Sequence, residues 1–324
     1  QLIYYGKMQD SKCNAIARNF QSTKLASFTA SNKDFQDNLN NYYIKSAYNC
    51  CAISGFSNTY VDLCALNNVL KSGVRFLDFE IYSVNGKQPV VAVSNMEKNN
   101  VKQSLNHLNF DDVMEEINQN AFTGQSGCPN PEDPIFLHFR VKSDHKEVYN
   151  NMAKIIRSKF DTQHQLLGKE FSNAFNGYNL GKIPLHCLSK KGKFDKVINK
   201  KAKIVIIIDR SNTTYIDTNM KEFVNMESGG NFINLKQDFH IKTDENTKGL
   251  IEQNKHTITT VIPDKIPEGG GMGSLHCCVP GSKNPDFRRN FELGCQIVCM
   301  CFQNVDTYLK NYNKFFDDAG TAFV

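Results

Sequence analysis

No stretch of about 18 apolar residues occurs in this 324-residue chain, so the sequence contains no membrane-spanning helix pattern. No C-x-x-C pair occurs among the eleven cysteines, and Cys295, Cys299 and Cys301 lie in an apolar, strand-like run. These spacings argue against a zinc site. An odd number of thiols in mostly apolar surroundings predicts a reducing, intracellular compartment. There is no G-x-G-x-x-G after the first strand pattern and no G-x-x-x-x-G-K-[ST], which removes the common nucleotide cradles. The run "EGGGMGS" (268–274) follows a proline-containing loop and precedes no helical pattern, so it reads as a flexible connection. The chain opens on Gln1, which points to a start upstream, and no signal-peptide pattern is visible. The net charge of +5 is a weak basic bias that specifies neither a nucleic-acid nor a membrane partner.

The remainder alternates between two patterns. Strand-like runs are "NNYYIKS" (40–46), "GVRFLDFEIY" (73–82), "QPVVAVS" (88–94), "DPIFLHFRV" (133–141), "KIVIIID" (203–209) and "GCQIVCMCFQ" (294–303). Helical spacing marks 61–73, 109–122 with Asn109 as N-cap, and 145–160. Continuous apolar runs such as 203–209 suit strands buried on both faces, and the alternation predicts a mainly parallel sheet, barrel or open. Residues 1–40 read as a helical or irregular lead-in, and 210–232 and 240–258 as polar insertions or connections. Within "GVRFLDFEIY", Asp78 and Glu80 sit two apart and share one strand face. Two adjacent buried acids are costly unless a cation lies between them.

The order "YYIKSAYNCC", "LKSGVRFLDFEIY", "QPVVAVS", "FDDVMEEINQNAF", "DPIFLHFR", "IPLHCL", "KIVIIID" resembles the X half of eukaryotic phosphoinositide-specific phospholipase C. "NKHTITTVIP" (254–263) and "GCQIVCMCFQNVDTYLKNYNKFFDDAG" (294–320) resemble its Y half. The resemblance covers about residues 40–324. It implies one (β/α)₈ TIM-type barrel with reacting groups at the C-terminal strand ends. The implied divisions are a lead-in (1–40), an X-like half (41–210), a connecting segment with the start of the Y-like half (211–253), and the diagnostic part of the Y-like half (254–324). It also implies phosphodiester cleavage by two histidines and a calcium ion held by Asn and acids, with basic residues reading the ring phosphates.

The implied positions are filled unevenly. The first histidine falls on Tyr48, beside a retained Asn49; a phenol with a pKa near 10 is a poor base at neutral pH. Two calcium ligands fall on Asp78 and Glu80, acids retained but exchanged in length. The second histidine falls on Val93; His107 and Asn95 are nearby but out of register. The last ligand falls on Arg140, a cation. Bacterial-type members of the family use an Arg where others use calcium, which would repair one position but neither histidine. The phosphate-reading lysines fall on Ile207 and Asp209, and the Y-half substrate readers on Thr260 and Ile262.

A framework retained without its chemistry predicts a catalytically inactive barrel with no cofactor, no calcium and no catalytic residue. The expected role is a structural or protein-interaction module, with a large assembly such as a virus particle as one setting. The alternatives are a phosphoric diester hydrolase with a rearranged site using His138 and Asp78, or a non-catalytic binder of phosphoinositide headgroups at a membrane. His138 itself reads first as a hydrogen-bonded core residue. The lysines at 190, 191, 193, 196, 200, 201 and 203 read as a solvated face, and no nucleic-acid partner is expected. Cys277 and Cys278 beside His276 read as buried thiols. The Arg140 guanidinium is predicted to lie against Asp78 or Glu80 in the metal's place.

Overall fold

A computed structural model describes residues 12–14, 17, 23–96, 100–175, 177–265 and 283–324. Among these residues twelve strands form, most of them from the runs rich in β-branched residues. They are β1 (Ile44–Ala47), β2 (Phe76–Val84), β3 (Gln88–Ala92), β4 (Leu108–Asn109), β5 (Ile135–Val141), β6 (Lys193–Phe194), β7 (Val197–Ile198), β8 (Ile204–Asp209), β9 (Met226–Ser228), β10 (Ile233–Gln237), β11 (Ile258–Ile262) and β12 (Ile297–Met300). Eight of them pair in parallel in the order β1-β2-β5-β8-β9-β10-β11-β12, and β12 returns to β1. The sheet therefore closes into the predicted eight-stranded, TIM-type barrel. Its narrowest seam joins β9 to β10 through Ser228↔Ile233 alone, and β1 meets β2 through only Ser46↔Phe76 and Ala47↔Leu77.

The α-helices that follow in the described chain are α1 (Leu63–Lys71), α2 (Phe110–Asn120), α3 (Lys146–Phe160), α4 (Asp238–Lys242), α5 (Thr247–Asn254), α6 (Phe287–Glu292) and α7 (Thr307–Ala319). In α2 the buried set is Phe110, Val113, Met114 and Ile117, a single stripe at helical spacing. Asp62 caps α1 by accepting from the Cys64 N–H, and Asp306 caps α7 by accepting from the Leu309 N–H. Gly320, at φ +72°, ends α7 in the left-handed region that glycine tolerates best. Among the described residues no helix is long and apolar enough to cross a membrane.

Three expectations change. The run 88–94 forms a strand, but β3 is antiparallel to β2 and lies outside the barrel. Asn85 and Gly86, both at positive φ, make the tight turn between them. That "NG" between two apolar runs is the usual sequence signal for a hairpin. The segment 210–232, read as polar and connecting, supplies barrel strand β9, and the unassigned stretch beyond it forms β10, followed by α4 and α5. Both strands are short and β10 is only partly buried, so their hydrophobic signal is weak. Lastly, Cys13 and Cys64 form a disulfide. The expectation of a reducing compartment, drawn from mostly apolar thiols, gave no sign of this pair, which are 51 residues apart and carry no spacing motif. The seven other cysteines within the described residues are free, six of them buried. The runs 268–274 and 276–278 lie outside the described residues.

The lead-in is partly sealed onto the barrel. The Phe28 N–H donates to Asp133, and its ring packs on Phe35 and Phe323.

Candidate functional site

Register decides which side chains meet inside the barrel. β2 pairs with β5 so that Asp78 lies opposite His138 and Glu80 opposite Arg140. In-register neighbours on parallel strands share a face, so the period-two alternation of each strand sends all four into the interior. Tyr48 and Asn49 follow the end of β1 at the same end of the barrel. Asn49 is at φ +46°, and its backbone N–H donates to Asp78 Oδ1 at 3.0 Å.

Arg140 is the centre of the cluster. Its Nε donates to Asp78 Oδ2 at 2.9 Å and its Nη2 to Asp78 Oδ1 at 2.7 Å. Nη1 donates to Glu80 Oε1 at 2.6 Å, and Nη2 also reaches Asn49 Oδ1 at 3.1 Å. The pairing with Asp78 is bidentate, a geometry that a guanidinium achieves and an ammonium does not. The Tyr48 ring lies over the guanidinium, 4.5 Å from centroid to carbon. The structure thus brings Asn49, Asp78, Glu80, Arg140 and Tyr48 together, with Arg140 between the acids as predicted.

The remaining lone pairs are also occupied. His138 Nδ1 lies 2.8 Å from Asp78 Oδ2, and Nε2 lies 2.7 Å from Ser228 Oγ. In the neutral ring, Nδ1–H donates to the carboxylate and Nε2 accepts from the serine hydroxyl. Glu80 Oε2 accepts from the Tyr82 hydroxyl at 2.8 Å and from the Ser94 N–H at 3.1 Å. Lys265, 6% exposed, donates to Glu80 Oε1 at 2.8 Å. Two carboxylates therefore face two cations, Arg140 and Lys265, and the buried charge sums to zero.

The titration behaviour follows from this geometry. Burial opposes ionisation of Asp78, but the Arg140 charge and the hydrogen bonds from Arg140 and His138 outweigh it, and the carboxyl stays well below the usual range. For Glu80 burial is likewise outweighed by the Arg140 and Lys265 charges, which bring it down to about 2. Burial pushes the Tyr48 phenol well above its ordinary value. Its hydroxyl has no hydrogen-bond partner among the described residues. No group with a pKa near neutrality stands where the first histidine would act. Val93 is buried with its side chain in the hydrophobic core, and its backbone carbonyl accepts from the Gln103 and Ser104 N–H groups.

The donor set does not fit calcium. The Asn49 oxygen, both Asp78 oxygens and Glu80 Oε1 already accept from Arg140, and the guanidinium stands where a fourth oxygen ligand would be required. The crevice beside Tyr48, lined by Asn49, Ala65, Val69, Phe302 and their neighbours, has no room for a water molecule. A cavity of about 320 Å³ lies elsewhere, lined by Lys45, Ser72 and residues of α7, and none of the cluster residues lines it.

The other implied positions stay apart from the cluster. Ile207 sits opposite His138 in register as an apolar wall. Asp209 accepts from the Ser211 N–H and hydroxyl at the end of β8. Thr260 and Ile262 are buried on β11, and the Thr260 hydroxyl has no partner among the described residues. Sequence reasoning missed Lys265, Ser228 and Tyr82. Of these only Tyr82 carried a signal, being two residues beyond Glu80 and so on its face.

Comparison with known proteins agrees with the fold. Residues 35–177 match the family model for phosphatidylinositol-specific phospholipase C, X domain. No curated protein sequence matches the chain. Among solved structures, PLC21 of L. pealei superposes with a TM-score of 0.63 at 16% identity, over 90% of this chain and 37% of that one. PLC21 of S. officinalis gives 0.61 at 15%, over the same shares of the two chains. This chain thus spans little more than a third of those proteins. The phosphatidylinositol-specific phospholipase C of Listeria monocytogenes gives 0.50 at 12% identity, over 90% of this chain and 98% of that one. The chain folds as a phospholipase-C-like, TIM-type barrel, and residues 35–177 carry the match to the X domain of the phosphatidylinositol-specific phospholipases C.

Proposed function

We propose that this chain is a catalytically silent member of the phospholipase-C-like phosphodiesterases, kept as a structural or protein-interaction module. The observation that carries the reading is the Arg140 guanidinium, bonded to Asp78, Glu80 and Asn49 at once. A substrate phosphate or a divalent cation would have to break several buried, charge-assisted hydrogen bonds to enter. Tyr48 and Val93 offer no proton transfer in exchange. The partner would be another protein, and a large particle such as a virion is one setting for such a module.

The test is hydrolysis of phosphatidylinositol and its phosphorylated forms by this chain, with and without calcium, beside an active relative. The expected result is no turnover above background in either condition. Turnover comparable to the relative's would sink the proposal.

One observation favours a second reading. Asp78, His138 and Ser228 form a continuous line of hydrogen bonds that has the roles of an acid, a base and a nucleophile. All three side chains are fully buried, and Asp78 is already committed to Arg140. If this line turned over a small ester or diester, Ser228→Ala would abolish that activity while the fold remained.

A further inference from the structure

At the opposite end of the barrel the chain builds a small basic hairpin from β6 and β7, which pair through Lys193↔Ile198 and Phe194↔Val197. The segment leads directly into β8 at its N-terminal end, whereas Glu80 and Arg140 sit toward the C-terminal ends of β2 and β5. The hairpin is held firmly. The Asn199 side chain donates to the Cys187 and Ser189 carbonyls at 2.8 and 2.9 Å. Phe194 is buried against Phe171, which in turn packs on Tyr178.

What the hairpin presents is unusual in two ways. Val197 and Ile198 are adjacent and 67% and 59% exposed. Scattered exposed aliphatics need no explanation, but an adjacent pair on the second strand of an anchored hairpin gains nothing in water. Around them, residues 191–201 carry five lysines and one acid, Asp195. None of those five lysines makes an ion pair among the described residues, whereas Lys190 pairs with Glu132. The turn residues Asp195 and Lys196 both adopt positive φ, at 48° and 65°. Asn-Gly would suit such a turn far better. The sequence instead keeps a cation beside the two aliphatics.

We infer that the β6–β7 hairpin docks this barrel on an anionic lipid surface, with Val197 and Ile198 entering the headgroup boundary and the lysines meeting lipid phosphates and carboxylates. Paired aliphatic and cationic contacts are what an anionic bilayer rewards. A nucleic acid would use the lysines, but Val197 and Ile198 offer it neither a hydrogen bond nor a ring to stack on. The inference concerns a face remote from the Arg140 cluster, so it stands whether or not the barrel turns over substrate.

The test is co-sedimentation of the full chain with vesicles of phosphatidylcholine containing about 30% phosphatidylserine, at about 0.1 M salt. Binding to these vesicles and not to pure phosphatidylcholine is expected. Each lysine near the surface is worth roughly fivefold in partitioning, so K193Q/K196Q/K200Q should weaken binding about a hundredfold. V197S/I198S should weaken it about tenfold with the thermal midpoint unchanged, because both side chains are already in water. Equal binding to neutral vesicles, no vesicle binding at all, or indifference to V197S/I198S would overturn the inference. A duplex DNA probe in the same buffer separates the rival class: DNA binding that is lost with the lysines, without vesicle binding, would assign the patch to nucleic acid instead.

Discussion

Replacing Arg140 with methionine tests the central feature of this molecule. The guanidinium makes four hydrogen bonds to Asp78, Glu80 and Asn49, at 2.6 to 3.1 Å. At an effective dielectric of about 20, one ion pair at such a distance is worth roughly 6 kcal/mol before desolvation is counted. Burying the three charged groups offsets much of that. Truncation does not return the carboxylates to water, however. It leaves Asp78 with His138 and the Asn49 N–H, and Glu80 with Lys265, Tyr82 and the Ser94 N–H. A loss of about 3–5 kcal/mol is expected for breaking a buried pair from one side. That is a large part of a typical total of about 5–15 kcal/mol. Urea denaturation followed by circular dichroism measures it. The double variant D78N/R140M, which removes the carboxylate left without a cation and keeps Glu80 paired with Lys265, should recover most of the loss. A companion variant, R140E, supplies an oxygen ligand at the position of the guanidinium and should gain a thermal midpoint that rises with calcium, while the natural chain shows no rise. A loss below about 1 kcal/mol for R140M, or a calcium-dependent midpoint in the natural chain, would refute the reading of Arg140 as the metal's replacement.

Other outcomes follow from the same geometry. The carboxyls of Asp78 and Glu80 are depressed in the folded state, so their stabilisation is complete above the unfolded carboxylate range and is lost as pH falls from about 4.5 toward about 2. The thermal midpoint should drop steeply across that window, and D78N/E80Q should flatten the drop while starting lower at neutral pH. Lys45 is fully buried and donates to the Ser72 carbonyl at 2.7 Å; burial brings its pKa down to about 7. The unfolded chain therefore binds more protons than the folded one between about pH 7 and 10, and stability from this group rises with pH there. Lys45→Met should be more stable than the natural chain below pH 7, by on the order of 1–4 kcal/mol, and the difference should shrink toward pH 10 in midpoints taken across a pH series. Ser228→Ala strands the His138 Nε2 in the barrel interior and should cost about 1–3 kcal/mol in urea. A cost near zero would mean that water or another group reaches His138.

Much of the framework was legible because its signals are local. The apolar run 203–209 and the stripe 109–122 each carry their own periodicity, and they appear as β8 and α2 with ends shifted by only a residue or two. The face shared by Asp78 and Glu80, and that shared by His138 and Arg140, followed from alternation alone. The short strands β9 and β10 escape sequence reading because a strand of three residues, or of five mostly half-buried ones, has too little pattern to stand out from a polar loop. The antiparallel course of β3 was written in Asn85-Gly86 and was overlooked.

The sequence by itself determined a mainly parallel α/β class of fold, and the likeness of its order of elements to a phospholipase C barrel implied that the sheet closes. It also determined the substitution of Tyr48, Val93 and Arg140 where that chemistry would require other groups. Only the tertiary structure decided how the buried charges are balanced. Lys265 reaches Glu80 across 185 positions of sequence, and Ser228 meets His138 across 90. No local pattern encodes such contacts, since they depend on barrel closure bringing distant strand ends within about 3 Å of one another. The same closure turned two acids that could have held a metal into half of a buried cluster in which every carboxylate oxygen is hydrogen-bonded.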